Sequence, residues 1–446
     1  MADTFLRRTQ STPTDNNKYT FSCWVKRSNL GSVQALLGSF TDSSNRGQLE
    51  FTSSDQLNYY ENLSGSTSAQ VTTTRVFRDV SAYYNIVLNV DLDQSTASDR
   101  VKLYVNGTQI TSFGISTYPS QGATSVIGNC TASNGLLVGG STSNNSTFYN
   151  IDGYMSHASF VDGQALAPTV FGSTDSTSGI WKFKAPSGVT WGTNGFHLKF
   201  ENSGALGTDS SGQSNTFTVN GNLKQALDTP SNVSATWNPF STTQTFATTF
   251  SSGNNRFRHS EANEHNVCCS TLGFNKGKWY AEFKVVSDVA STSMQIGISS
   301  LNTALTTATS VSGLEGSGYQ DNGVVYRNGY SDVSSLTTFA QNDIIGVACD
   351  FDNKMIYWYK NGTLLNSTGY AFTLNAGVAK GDFYGFACSG YQTSGDDIVV
   401  DANFGNGYFN TTAISSAGSN GNGYLFEYDV PSGYYALNTK NLNTYG

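Results

Sequence analysis

Two stretches decide how this chain reads: Asn89-Val-Asp91-Leu-Asp93 with Leu103-Tyr104-Val-Asn106-Gly107-Thr108, and Ala348-Cys-Asp350-Phe-Asp352 with Trp358-Tyr359-Lys-Asn361-Gly362-Thr363. Each is an apolar run closing on Asp-apolar-Asp, a polar turn, a second run with Tyr, then Asn-Gly-Thr. Asn-Gly accepts the positive φ angles of a type I′ hairpin turn, so each copy encodes two successive tight turns. The repetition points to two antiparallel sandwiches of related topology.

Outward from these hairpins the same rhythm continues. Short runs at 19–25 (YTFSCWV), 83–90 (YYNIVLNV), 279–286 (WYAEFKVV), 344–349 and 383–388 are separated by Gly/Asn/Ser turns. Strands at this spacing without helical stretches predict an all-β chain of two jelly-roll sandwiches in tandem. Aromatics make up 13% of the 446 residues and charged residues another 13%, so Tyr and Phe must fill the cores. The expected organisation is a first domain over 1–202 with a short N-terminal arm. A Gly/Ser/Asn-rich connection follows over 203–236, then a second domain with a C-terminal tail over 237–446.

A net charge of −8, with Arg7-Arg8 as the longest basic run, argues against a nucleic-acid partner. No run approaches a membrane span, and the first residues lack the apolar segment of a signal peptide. A cytosolic origin is therefore expected, with Cys23, Cys130, Cys268, Cys269, Cys349 and Cys388 reduced and structural. The sequons at Asn62 and Asn361 then carry no glycosylation message.

At these residues the chain resembles known families. Phe21-Ser-Cys-Trp24-Val, Tyr84-Asn-Ile-Val-Leu, Val101-Lys-Leu-Tyr-Val-Asn-Gly and Ile151-Asp-Gly-Tyr154-Met resemble the laminin-G-like or concanavalin A-like jelly rolls over about 18–200. Gly277-Lys-Trp279-Tyr-Ala-Glu282-Phe, Gln295-Ile-Gly-Ile298, Asp343-Ile-Ile-Gly-Val347, Tyr359-Lys-Asn-Gly362 and Asn403-Phe404-Gly405 resemble a SPRY-type sandwich over about 237–409. The whole arrangement is similar to structural proteins of marine bacteriophages, through Asp162-Gly-Gln-Ala-Leu-Ala-Pro-Thr, Gly179-Ile-Trp181-Lys, Thr193-Asn-Gly195-Phe-His-Leu and Pro431-Ser-Gly-Tyr-Tyr-Ala-Leu-Asn438-Thr. That resemblance implies a virion component assembled in the host cytoplasm: a tail fibre or adhesin, or a head decoration or head fibre. Its partners would be other virion proteins, further copies of itself and a host surface glycan.

Concanavalin A-like folds also include glycan hydrolases, so a hydrolase or depolymerase is the alternative, with a free lectin as a third reading. Laminarinase-type members carry Glu-x-Asp-x-x-Glu, which is missing here; the nearest cluster is Glu261-Ala-Asn-Glu264-His265. His157, His197, His259 and His265 accompany no catalytic motif. No enzyme activity and no cofactor are expected. Asp91/Asp93 and Asp350/Asp352 each share one strand face and are candidate calcium ligands, with a solvated strand end as the simpler reading. Tyr59-Tyr60 and Tyr326-Arg327-Asn328-Gly329-Tyr330 combine rings, donors and turns, and are candidate sugar contacts.

Overall fold

Lys18–Arg27 (KYTFSCWVKR) is buried along almost its whole length because strands flank it on both sides: Tyr84–Asp91 on one, Gly153–Asp162 on the other. The computed structural model describes residues 4–132, 135–242, 248–263, 265–287, 293–301, 316–327, 330–334, 336–372, 383–393 and 397–446. These fall into two compact units, 1–225 and 226–446. In both, the regular structure is almost all antiparallel β-strand.

The first unit packs a six-stranded sheet, built around Lys18–Arg27, on an eight-stranded one. The larger sheet runs Phe113–Thr117, Ser66–Val76, Gln56–Leu63, Asn45–Phe51, Gln34–Asp42, Leu136–Val138, Phe5–Arg8, Thr218–Asn220. Alternate residues (Leu49, Phe51, Leu57, Tyr59, Val71 on one sheet; Phe21, Cys23, Ile86, Leu88, Leu103 on the other) meet in one core.

Two parts of the expected layout take a definite form. The N-terminal arm is a strand, because Phe5 and Leu6 are buried and Phe5–Arg8 pairs on both edges. The connection at 203–236 is ordered and shared between the units. Thr218–Asn220 extends the first unit's sheet, and Phe217 packs edge-on against Phe196 at 4.7 Å. Ala235 donates its N–H to the Leu437 carbonyl of the second unit. Its polar residues cap turns: Asp209 accepts from the backbone of His197, Ser211 and Asn215. Composition alone does not distinguish such a turn network from a tether.

The second unit pairs a seven-stranded sheet with one built on Lys278–Ser287, Ile344–Asp350, Met355–Lys360 and Ile398–Asn403. Trp237, Phe283, Phe386 and Phe404 form an aromatic cluster at its centre. The C-terminal segment does not trail: Phe426, Val430, Tyr434 and Ala436 cover Tyr280 and Ala348 on the face away from that core. All six cysteines are free and buried, and the adjacent Cys268 and Cys269 point to opposite faces of one strand. Both Asn-Gly pairs have the positive φ angles of a type I′ turn, 49° and 77° at 106–107 and 49° and 79° at 361–362.

Candidate functional site

Register decides the fate of the tyrosine pair. Tyr59 is fully buried in the first core and shares a hydrogen bond between hydroxyls with Tyr19 at 3.4 Å, so it cannot stack on a sugar. Tyr60 is its neighbour on a strand and therefore faces the other way, half-buried on the outer face of the eight-stranded sheet.

The outer face around Tyr60 is polar and ordered. Cross-strand partners share a face, which aligns Glu50 with Asn58 and Thr72, and Gln48 with Tyr60 and Gln70. A chain of hydrogen bonds crosses three strands: Thr72 Oγ1 donates to Asn58 Oδ1 at 2.7 Å, and Asn58 Nδ2 donates to Glu50 Oε1 at 2.9 Å. Glu50 is 5% exposed, yet its Oε2 has no hydrogen-bond partner. Burial raises its pKa, against the opposing pull of Asn58, Gln48 and Arg46. Ser141 Oγ donates to Gln48 Oε1 at 2.7 Å and Arg46 Nη1 to the Ser143 carbonyl at 3.2 Å, so the loop after 139 borders the face. Sequence reading missed this array, although Arg46-Gly-Gln48-Leu-Glu50-Phe and Asn58-Tyr-Tyr60-Glu-Asn62 alternate polar and buried residues.

The other candidates are committed elsewhere. Lys18 Nζ lies 3.4 Å from Asp91 and 3.3 Å from Asp93. Lys278 Nζ lies 2.8 Å from Asp350, and Asp352 accepts the Gly277 N–H at 2.9 Å. An ammonium group thus lies beside each Asp-apolar-Asp, where the calcium reading would place the cation. Among the described residues, no three His, Cys, Asp or Glu side chains are grouped to hold a metal ion. Tyr326 is half-buried on Val324–Arg327, and Arg327 donates to the Ala371 carbonyl. Tyr330 opens a strand opposite Arg327; its side chain, with Asn328 and Gly329, lies outside the described residues. Glu261 is exposed, and Glu264 lies outside the described residues.

Three further groups could not be found from sequence. Glu61 is buried and holds the loop at 125–127, accepting from Ser125 Oγ (2.5 Å), Val126 N (3.1 Å) and Ile127 N (3.0 Å). Glu282 likewise holds 427–428, accepting from their N–H groups at 2.8 and 2.9 Å. Burial lifts the Glu282 pKa to about 7 despite those bonds. His157 and His197 face one another with ring nitrogens 3.4 Å apart, between Phe183 and Trp191. Burial lowers both imidazoles to about 4, so they are neutral at pH 7.

Residues 5–150 match the family model described as the concanavalin A-like lectin/glucanases superfamily, and residues 278–400 match the SPRY domain. No curated protein matches the chain. Among solved structures it is similar to the SPRY domain of human HERC1, at 18% identity over 37% of this chain and 96% of that one, with a TM-score of 0.29. A second human SPRY domain is 13% identical over 35% and 94%, with a TM-score of 0.26. The native heptameric SAP-like pentraxin from Limulus polyphemus is 12% identical over 49% and 89%, with a TM-score of 0.30. On the two family matches, the chain carries a laminin-G-type, concanavalin A-like domain followed by a SPRY domain.

Proposed function

We propose that this protein is a non-enzymatic binding component of a bacteriophage particle, assembled in the host cytoplasm and present in multiple copies. It would act as a tail fibre or adhesin, or as a head decoration or head fibre, touching other virion proteins and a host surface glycan. The observation that carries the reading is the phage-like closing pattern Pro431-Ser-Gly-Tyr-Tyr-Ala-Leu-Asn438-Thr, which is built into the second unit. Tyr434 packs with Tyr280, Leu437 is in the core, and Asn438 Oδ1 accepts the Asn441 N–H at 2.9 Å to cap the last helix.

The placement of the carboxylates favours binding over hydrolysis. A glycosidase needs two carboxyls about 5–10 Å apart across an open cleft, whereas Glu61 and Glu282 are spent beneath ordered loops. Surfaces poor in charge also suit assembly through apolar and hydrogen-bonded contacts, which salt does not screen. Virions banded on a gradient and washed in about 1 M salt, where the Debye length is about 3 Å, should retain the protein by mass spectrometry. Recovery only from the lysate supernatant would favour a free lectin or a depolymerase.

A further inference from the structure

Asn-Gly recurs throughout the chain, and the fold gives its copies unequal chemical surroundings. Ten such pairs occur, eight of them wholly within the described residues. Glycine has no Cβ, so its backbone nitrogen is the least hindered towards the side chain before it. To reach the asparagine Cγ, that side chain must rotate and the turn must give. Six of the eight pairs are held against this. Asn106 and Asn361 keep Oδ1 on the Asn85 and Ile344 N–H groups at 2.8 Å, with Trp181 and Tyr428 against their glycines. Asn194 is fully buried and bonds both the N–H and the carbonyl of Ser11 at 2.8 Å. Asn322 and Asn406 accept the Val324 and Tyr408 N–H groups, and their glycines donate to the Gln320 carbonyl and to Asn403 Oδ1. Asn220 donates Nδ2 to the Thr218 carbonyl at 3.3 Å.

The run Asn420-Gly421-Asn422-Gly423 is different. Both asparagines are exposed, and among the described residues neither side chain makes a hydrogen bond. Gly421–Tyr424 is a type I′ turn, with φ of 51° at Asn422 and 88° at Gly423. The Tyr424 N–H closes it on the Gly421 carbonyl at 2.9 Å. A Cβ at Gly423 would meet nothing within 4 Å, whereas one at Gly421 would stand 2.2 Å from the Tyr424 carbonyl oxygen.

We propose that Asn422 is a site of spontaneous self-modification, left open by the fold while the hairpin pairs are closed. The Gly423 nitrogen bonds to the Asn422 Cγ and gives up its proton; the Cγ–Nδ2 bond breaks, and ammonia leaves with that proton. Water then opens the cyclic imide at either carbonyl, giving aspartate or isoaspartate. Nothing is oxidised or reduced, and water is the only co-reactant. The position gives the change a consequence. The turn leads into Tyr424, whose hydroxyl accepts from Asn232 Nδ2, and Leu425, whose N–H bonds the Gly405 carbonyl at 3.0 Å. On its other side the Gly418 N–H reaches the Phe426 carbonyl at 2.8 Å, and Phe426 packs edge-on against Tyr280. Isoaspartate lengthens the turn backbone by one carbon and adds a negative charge to a segment already carrying Glu427 and Asp429. The cover over Tyr280 is thereby loosened.

The test incubates the full chain in warm, mildly alkaline buffer beside a sample unfolded in urea. Peptide mass spectrometry with electron-transfer fragmentation follows amide, aspartate and isoaspartate at each pair. In the folded chain Asn422 should convert at least about ten times faster than Asn106 or Asn361, a ratio equivalent to about 1.4 kcal/mol. In urea the three should convert at similar rates, because only the fold distinguishes them. Asn422→Gln places the amide one carbon further out, so conversion at 422 should stop while the melting temperature is unchanged. Isoaspartate-bearing protein, separated by ion exchange, should exchange amide hydrogens over 424–428 about ten times faster than fresh protein. The proposal is overturned if Asn422 keeps its amide in the folded chain while losing it in urea, or if Asn106 or Asn361 keeps pace with it. Equal exchange over 424–428 in aged and fresh protein would overturn the effect on the cover.

Discussion

The two units build the same hairpin and shield it differently. Lys18 faces Asp91 across a strand pair as Lys278 faces Asp350. Asn106 and Asn361 each donate N–H to a carbonyl at the start of the preceding strand (Asn85 and Ile344, both 2.9 Å). Each also accepts that residue's N–H on its side-chain oxygen, at 2.8 Å. In both, a ring from a later part of the chain lies against the turn glycine: Trp181 over Gly107, Tyr428 over Gly362. The shields are held by different chemistry. Trp181 is tied by a neutral hydrogen bond from its Nε1 to Asn85 Oδ1 at 3.0 Å. The Tyr428 backbone is tied to the buried carboxyl of Glu282. The hairpin is local code, while its shield is a tertiary choice that decides whether the site titrates.

The largest expected effect comes from filling the space under the shield. A Cβ at Gly107 would stand 2.5 Å from Trp181, and one at Gly362 would stand 2.6 Å from Tyr428, both at positive φ. Gly107→Val and Gly362→Val each combine backbone strain with overpacking, a cost of about 2–4 kcal/mol. Gly107→Val should be the worse of the two, because Trp181 is hydrogen-bonded in place while the Tyr428 side chain is half-exposed and can swing aside. Hydrogen exchange by mass spectrometry reads each unit within the whole chain. Unchanged protection in both variants would break the hairpin assignment.

Acid should move the two units through different groups. Glu282 has a folded pKa of about 7 against 4.5 unfolded, so between those values the folded state holds more protons. Stability of the second unit should therefore rise as pH falls from 7 towards 4.5, by about 3 kcal/mol at most. Asp343 and Asp350 are shifted below 3.8 and act only at lower pH. In the first unit His157 and His197 are lowered from 6.5 to about 4, so their contribution is present above pH 6.5 and is lost as pH falls towards 4. Burial raises Glu50 and Glu61 there, which opposes that loss. Glu282→Gln should flatten the response of the second unit, and His197→Gln should reduce the acid loss of the first. Denaturant midpoints at pH 5 and 7.5 that are insensitive to Glu282→Gln would mean the carboxyl is solvated.

These features differ in how far the sequence could reveal them. The tandem sandwiches and both type I′ turns were legible because alternation and Asn-Gly act over a few residues. Tyr59 and Tyr60 were not separable, since a one-residue change of register exchanges their faces. The polar stretch around Asp209 read as either a linker or a surface-hugging connection, because Ser, Asn and Gly serve capped turns and linkers alike. Glu61, Glu282 and the Thr72–Asn58–Glu50 relay depend on pairings between distant strands or loops, which no local pattern specifies. The same is true of the lysines: Lys18 lies far in sequence from Asp91, and only the register brings them opposite.

The smallest expected effect separates the two lysines and tests calcium directly. Asp91 and Asp93 are partly solvated, at 14% and 53% side-chain exposure, so Lys18→Met should cost no more than about 0.5 kcal/mol. Asp350 is 6% exposed and would be left with Asn353, which donates from its backbone (3.0 Å) and side chain (2.9 Å). Lys278→Met should therefore cost more, about 1 kcal/mol, because it strands a nearly buried charge. A divalent cation at either pair must displace an ammonium that already sits at contact distance. Melting of the wild type should accordingly be unchanged by about 1 mM calcium, a concentration that fills the weakest extracellular calcium modules. Calcium should act, if at either site, in Lys278→Met, where the buried carboxylate has lost its cation. A rise in the wild-type melting temperature with calcium but not magnesium would show that the lysines yield, and would return the Asp-apolar-Asp pairs to the set of metal sites.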